Sequence, residues 1–408
     1  MLDLNSIKKA RDRVSAVIQH TPFGHAPILS EISGYEVYLK KENLQRTGAF
    51  KLRGAFNKIA TLLEKREAEK KSISGVVAAS AGNHAQGVAF AAKYFDIEAT
   101  IIMPESTPLT KVQGVKDLGA SVILHGGNYD EAYAHALEYC KLHEQEFVHP
   151  FCDDDVMSGQ GTIGIEMLEV QADLDAIIVP VGGGGLISGI SVATKSIAPE
   201  CQMIGVVAEG APSMATSYRE GRAIDSTSVR TIADGIAVRD TSPITLEYIL
   251  QHVDDMKLVG EDEIANAILF LLEKQKVLVE GAGAVGVAAL LHGKIDLPKG
   301  SKVGVVLSGG NIDVTMLSLI IEKGLIKSSR KMKLIVTLVD KPGSLMLFTE
   351  LLKEVGTNIV QIDYDRTSTD LQFGDAYVSV DLETKGVEHQ DEIRDILNRH
   401  DFSFSEVH

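Results

Sequence analysis

The sequence predicts an α/β protein in two parts: a large domain built on a parallel sheet, then a smaller βαββαβ domain of ferredoxin-like order. Three observations predict it. Short β-rich runs alternate with amphipathic stretches from Ser72 to Pro180, the alternation resumes further on, and near Gly324 the texture turns basic and polar. Strands alternating with helices imply βαβ units, because parallel neighbours need a crossover between them. The 408 residues also exceed one ordinary core, so more than one domain is expected.

The first expected strand is Gly75–Ala79, followed by a helix from about Asn83 to Phe95 and a strand at Ala99–Met103. A helix from about Thr110 to Leu118 then leads to a strand at Ser121–Leu124. Ala176–Val181, Met203–Val207 and Lys302–Leu307 are further short apolar runs, and Lys276–Glu280 reads as another strand. In such a sheet, catalytic residues gather at the carboxyl ends of strands. Residues 324–330 read as a linker. Beyond them come a strand at Lys333–Val339, a helix at Pro342–Val355, strands at Ile359–Tyr364 and Ala376–Leu382, a helix at Gln390–Asn398 and a strand at Ser403–Val407. Asp340 is placed to cap the first of these helices, with Pro342 in its first turn and Leu345, Phe348, Leu352 and Val355 on one face.

Composition narrows the function. With 45% hydrophobic and 24% charged residues, and no apolar run long enough to span a bilayer, the chain reads as a globular cytoplasmic protein. The N-terminus lacks a basic-then-apolar signal pattern. A formal charge of −16 opposes nucleic-acid binding. Cys140, Cys152 and Cys201 have no C-x-x-C spacing, which suits reduced thiols.

Lys51 lies between the apolar Phe50 and Leu52, beside small residues. Desolvation there favours the neutral amine, at about 1.4 kcal/mol per pKa unit, and a neutral amine can condense with an aldehyde. Gly182, Gly183, Gly184 and Gly185 follow a buried strand and open a helix-like run beginning Leu186. Backbone N–H groups bare of side chains can converge there on a phosphate; the alternative is a tight turn. The loop lacks the lysine and hydroxyl of a nucleoside-triphosphate loop. Gly281–Gly286 matches G-x-G-x-x-G and by itself would suit an NAD-dependent dehydrogenase, but no ribose-binding acid stands about twenty residues on. Ser80, Ala81, Gly82, Asn83 and His84 lie between a β-rich run and a helix, where backbone N–H groups can receive a carboxylate; helix capping is the alternative for Asn83 and His84. His149 reads as a satisfied histidine before a Pro150 turn, and Asp153–Asp155 as a polar helix start and not a metal site. Ser308 ends a strand in the run Ser308-Gly309-Gly310-Asn311.

These segments, in this order, resemble the pyridoxal-phosphate (PLP) threonine and serine dehydratases, or ammonia-lyases. The resemblance covers nearly the whole chain: residues 1–323 are similar to the fold-type II (tryptophan synthase beta-like) catalytic domain, with a smaller subdomain near 52–153. Residues 331–408 resemble an ACT regulatory domain through the Asp340–Ser344 turn. It implies Lys51 as the cofactor lysine, with Phe50, Asn83, Gly182–Gly185, Leu186 and Ser308 around the cofactor. It also implies that Ser80–His84 hold the substrate carboxylate, that Asn83 contacts the phenolic oxygen of PLP, and that the Ser308 hydroxyl faces the pyridine nitrogen. A hydroxyl partner makes a weaker electron sink than an acid would, which suits prompt loss of a β-substituent. The expected activity is deamination of L-threonine, and of L-serine, to a 2-oxo acid and ammonia. A serine racemase-like enzyme is the nearest alternative, yet such racemases carry a second serine where this chain has Ala81. Gly343 and Asn358 are the expected effector contacts, isoleucine the expected effector, and a homodimer or homotetramer the expected assembly. A purely structural dimerisation domain is the other reading of residues 331–408.

Overall fold

The computed structural model describes residues 1–407. It divides into two compact units, Met1–Asp313 and Val314–His408. The first unit begins with α1 (Leu4–Val14), β1 (Phe23–His25), α2 (Pro27–Ser33), β2 (Glu36–Lys41) and α3 (Lys51–Ala68). Next come β3 (Val76–Ala79), α4 (Asn83–Tyr94), β4 (Ala99–Met103), α5 (Leu109–Asp117), β5 (Ser121–Leu124), α6 (Tyr129–His143) and β6 (Glu146–Phe147). It continues through α7 (Asp154–Val170), β7 (Ala176–Pro180), α8 (Gly185–Ile197), β8 (Gln202–Ala208), α9 (Ser213–Glu220) and α10 (Pro243–His252). Last are β9 (Asp255–Val259), α11 (Glu261–Phe270), α12 (Gly281–Leu291) and β10 (Lys302–Leu307).

Two sheets result. The six-stranded sheet has the order β1-β2-β10-β7-β8-β9, parallel except for the antiparallel edge strand β1. The four-stranded sheet, β5-β4-β3-β6, is parallel throughout. Central strands β3, β4 and β7 are buried along their whole length, as sheets covered by helices on both faces require. The expected strand at Lys276–Glu280 does not form. Its place beside β10 is already taken, since β2 and β7 pair with β10 on its two sides. The segment instead makes single contacts, with Glu280 N–H donating to the Gly309 carbonyl and Asn43 Nδ2 donating to the Leu278 carbonyl.

A closed set of charges lies inside this unit. Arg53, fully buried in α3, donates to Glu42 at 2.8 and 2.9 Å and to Glu166 at 2.6 Å, while buried Lys40 donates to Glu166 at 2.6 Å and to the Thr21 carbonyl at 2.8 Å. Each carboxylate has a cation and each cation a carboxylate, the condition under which charge survives without water.

The second unit comprises α13 (Val314–Lys327), β11 (Lys331–Val339), α14 (Ser344–Glu354), β12 (Asn358–Asp365), β13 (Asp375–Glu383), α15 (Val387–Arg399) and β14 (Ser403–Glu406). Its sheet is antiparallel, β12-β13-β11-β14, and β11 to β14 run βαββαβ in ferredoxin-like order. Residues 324–330, expected as a linker, are helical as far as Lys327. Helix α14 starts later than Pro342, after Gly343 at φ +94°, and Asp340 does not cap it. The Asp340 carboxylate is taken by Tyr364, at 3.1 Å, and Arg366, at 3.5 Å. No helix among the described residues is long and apolar enough to cross a membrane.

Candidate active site

Lys51 is the first residue of α3, and backbone contacts fix where it stands. Ala49 bridges Gly309, and Phe50 N–H donates to the Ser308 carbonyl at 3.0 Å, so the lysine is pinned beside the carboxyl end of β10. Its Nζ donates to the Pro150 carbonyl at 2.6 Å and lies 5.3 Å from the centre of the Phe50 ring. Burial lowers this amine to about 8, against a smaller upward pull from Glu280. Roughly one amine in ten is then neutral at pH 7, against fewer than about one in a thousand for an ordinary lysine. Gly87 of α4 lets that helix close on α3, since a Cβ there would stand 3.2 Å from the Lys51 carbonyl.

The glycine loop is built on the same stretch of chain. A Cβ on Gly183 would meet the Phe151 ring at 2.5 Å, and one on Gly185 the Phe151 carbonyl at 2.5 Å. Pro150 therefore contacts Lys51 while its neighbour Phe151 packs on the loop. Gly184 adopts φ +87° as the N-cap of α8, with no side-chain cap and no acid in the first turn. The first-turn N–H groups, from Gly185 through Leu186, thus keep a free positive end suited to a phosphate.

The Ser80–His84 loop joins β3 to α4. A Cβ on Gly82 would meet nothing within 4 Å, so the loop borders open space, and α4 likewise has neither a side-chain cap nor an acid in its first turn. Asn83 and His84 do not cap it. Asn83 Nδ2 donates to both oxygens of Glu280, at 2.8 and 3.1 Å, and buried His84 bonds the Val148 carbonyl at 2.8 Å. Burial and the charge of Lys51 hold His84 down at about 3, a neutral ring facing the core. His149 is the satisfied histidine expected of it, its Nδ1 accepting from Phe151 and Cys152 N–H at 3.2 and 2.8 Å. Asp153 caps α7, accepting from Asp155 and Val156 N–H. Among the described residues no group of His, Cys, Asp and Glu is arranged to hold a metal ion.

Asn311 and Pro150 carry site contacts that the sequence did not single out, whereas Glu280 heads the Glu-Gly-Ala-Gly-Ala run that the resemblance sets beside the cofactor ring. Burial pushes Glu280 up to about 7, partly offset by the Asn83 N–H. Glu280 directly precedes the run Gly281–Gly286. Those glycines serve packing: a Cβ on Gly281, Gly283 or Gly286 would meet the Ile232 carbonyl, the Gly309 carbonyl or Val305 within 2.8 Å. With Glu280 itself as the N-cap of α12, that helix start is unsuited to a dinucleotide phosphate. The two expected effector residues are not brought together. Gly343 lines an open cavity of about 600 Å³ with Asp340, Lys341, Tyr364 and Arg366, whereas Asn358 lines another, of about 410 Å³, and donates to Glu383.

A lysine amine of lowered basicity, a glycine loop opening an uncapped helix and a second uncapped helix start suit a phosphorylated aldehyde cofactor. The family described as pyridoxal-phosphate dependent enzyme matches residues 14–309, and this chain belongs to it. The chain is 50% identical over 397 residues, 97% of both proteins, to the L-threonine ammonia-lyase of Thermotoga maritima. It is 43% identical over 316 residues, 77% of this chain and 94% of the other, to the catabolic L-threonine dehydratase of Escherichia coli strain K12. Among solved structures it is similar to the processed form of threonine deaminase isoform 2 from Solanum lycopersicum, with 38% identity, TM-score 0.73 and coverage of 78% and 86%. Maize serine racemase is also similar, with 34% identity, TM-score 0.74 and coverage of 80% and 98%.

Proposed function

We propose that the protein is a PLP-dependent L-threonine ammonia-lyase that also accepts L-serine, releasing 2-oxobutanoate or pyruvate with ammonia. The observation that carries this reading is the Lys51 amine, lowered to about 8 and pinned between the Ser308 strand end and the segment that packs on the glycine loop. When bound, pyridoxal phosphate supplies an electron sink that makes the substrate's α-hydrogen acidic. Gly182–Gly185 and Leu186 N–H groups bind its phosphate, Ser308 and Asn83 orient its ring, and Phe50 packs against it. The Ser80–His84 loop holds the substrate carboxylate. Lys51 keeps the cofactor in place between turnovers and, once displaced by the substrate amine, takes the α-proton. Loss of the β-hydroxyl gives an enamine that hydrolyses to the oxo acid.

Borohydride reduction of the loaded protein followed by peptide mapping is expected to label Lys51, and Lys51→Ala to abolish the visible band and oxo-acid formation. A label on any other lysine overturns the assignment. Ala81 offers no proton on the opposite face, so residual L-serine after turnover is expected to stay L; substantial D-serine would favour the racemase reading.

We infer further that residues 331–408 sense isoleucine, as an ACT domain in a homodimer or homotetramer acting in the cytoplasm. The cavity at Gly343 supports this, because Asp340, Lys341 and Arg366 line it with charges of both signs, which suits an amino acid's carboxylate and ammonium groups. An effector works by binding one state better, with coupling of about 1–3 kcal/mol. Oxo-acid formation with and without isoleucine checks it: a chain ending at Asp313 retains turnover and loses the response.

A further inference from the structure

We propose that Asn311 is a positioning residue that fixes which way the Asn83 carboxamide faces, and thereby makes Asn83 a hydrogen-bond donor towards the cofactor. The proposal rests on the reading above, in which Asn83 meets the phenolic oxygen of PLP.

Proton order sets the orientation of both amides. A backbone carbonyl only accepts, and Thr47 O takes a hydrogen bond from Asn311 Nδ2 at 2.9 Å. That leaves Asn311 presenting N–H in this direction. The same Nδ2 donates at 2.7 Å to Asn83 Oδ1, so Asn83 turns its oxygen to Asn311 and its NH2 group the other way. On that side its NH2 meets Glu280, at 2.8 and 3.1 Å; the two oxygens of one carboxyl lie close enough to share a single N–H, which leaves the second N–H for the cofactor. A flipped Asn83 would set NH2 against NH2 at one end and carbonyl oxygen against carboxyl at the other. The chain of donors and acceptors starts at a group that cannot change its role, and Asn311 passes that constraint on.

The local backbone makes room for this. Gly48 adopts φ +72°, and a Cβ there would lie 2.4 Å from Asn311 Oδ1, so a side chain at 48 would displace Asn311. Gly310 N–H donates to the Gly48 carbonyl at 2.8 Å, holding the two turns together. Asn311 also uses its backbone N–H on Glu280. One residue thus holds Asn83 through its side chain and Glu280 through its main chain. An ionised phenolic oxygen accepts only; facing the Asn83 NH2 it is stabilised, and facing a carbonyl it is repelled.

The test uses full-length protein loaded with PLP and reads the visible band of the lysine-bound cofactor against pH, together with the PLP dissociation constant. Asn311→Ala frees the amide of Asn83, and the expected result is a rise of about tenfold in that constant and a shift of the band towards its phenol form. Asn311→Asp keeps the shape but presents oxygen to Asn83, and is expected to be worse than Asn311→Ala. A role in packing alone predicts the reverse ranking, which would overturn the proposal. In an Asn83→Ala background, substitution of Asn311 is expected to change the band no further; an undiminished effect there overturns it as well. If Asn83→Ala alone leaves the band unchanged while borohydride still labels Lys51, the contact between Asn83 and the cofactor is wrong and the proposal falls with it. If borohydride labels another lysine, the reading of the site itself has failed.

Discussion

The two glycine-rich helix starts of the catalytic unit, Gly182–Gly185 and Gly281–Gly286, look alike on paper and do different work. Both sets are forced by close approach of neighbouring atoms. They differ in what stands at the helix end. Gly184 opens α8 in a left-handed conformation with no acid in the first turn, so the positive end of the helix is left for an anion. The cap of α12 is Glu280, whose buried carboxyl makes no cap hydrogen bond and turns to Asn83, yet sets an acid beside that end. Glycine spacing therefore reports tight packing, and the residue beside the glycines decides whether an anion is welcome.

Substitution at the two helix starts separates packing from binding. The largest effect is expected for Gly185→Ala, whose methyl would drive into the Phe151 carbonyl at 2.5 Å and spread the loop. Overpacking of this kind costs about 1–3 kcal/mol, and here it falls on the loop proposed to hold the phosphate, so PLP affinity measured by fluorescence titration should drop by roughly tenfold to a hundredfold.

Acid provides the second contrast, because His149 braces Phe151 and Cys152 on one side of the comparison only. Burial holds this ring down at about 4, while the unfolded chain takes its proton near 6.5. The unfolded state thus binds protons that the folded state refuses, and stability falls as pH drops through 6.5 and levels off near 4. Between pH 7.5 and pH 5 the protein stripped of cofactor should lose about 2 kcal/mol from this group. His149→Asn, whose amide oxygen can still accept, should remove that part of the acid sensitivity in denaturant melts. The smallest effect is expected for Gly286→Ala. Its Cβ meets Val305 at 2.8 Å and Ile178 at 3.2 Å, both strand residues outside the loop, so thermal stability should fall by about 1 kcal/mol with PLP affinity unchanged.

What the sequence made legible was whatever is encoded locally. The strands at Ala99–Met103, Ser121–Leu124 and Lys302–Leu307 form where their apolar runs lie, and the segments around Lys51, Ser80, Gly182 and Ser308 are each contiguous. Glu280 and Asn311 were not legible as partners of Asn83, because those contacts span 197 and 228 residues and leave no periodic trace. Lys276–Glu280 has strand composition, but strand formation needs a vacant neighbour, which composition does not record. The start of α14 was misplaced for a similar reason: Asp340 had capping chemistry, and Tyr364 and Arg366 claimed it through the fold.

The buried set of Lys40, Glu42, Arg53 and Glu166 bears on how this protein can change over generations. Removing any one member strands an opposite charge away from water, at a cost of about 3–5 kcal/mol, while exchanging the whole set for well-packed apolar side chains can be neutral. No sequence of single steps leads smoothly from one arrangement to the other. Arg53 stands two positions after Lys51 on the same helix, so the neighbourhood of the reactive amine lies in a valley with steep walls: drift is free to explore the surface of α3 and is turned back at its buried face.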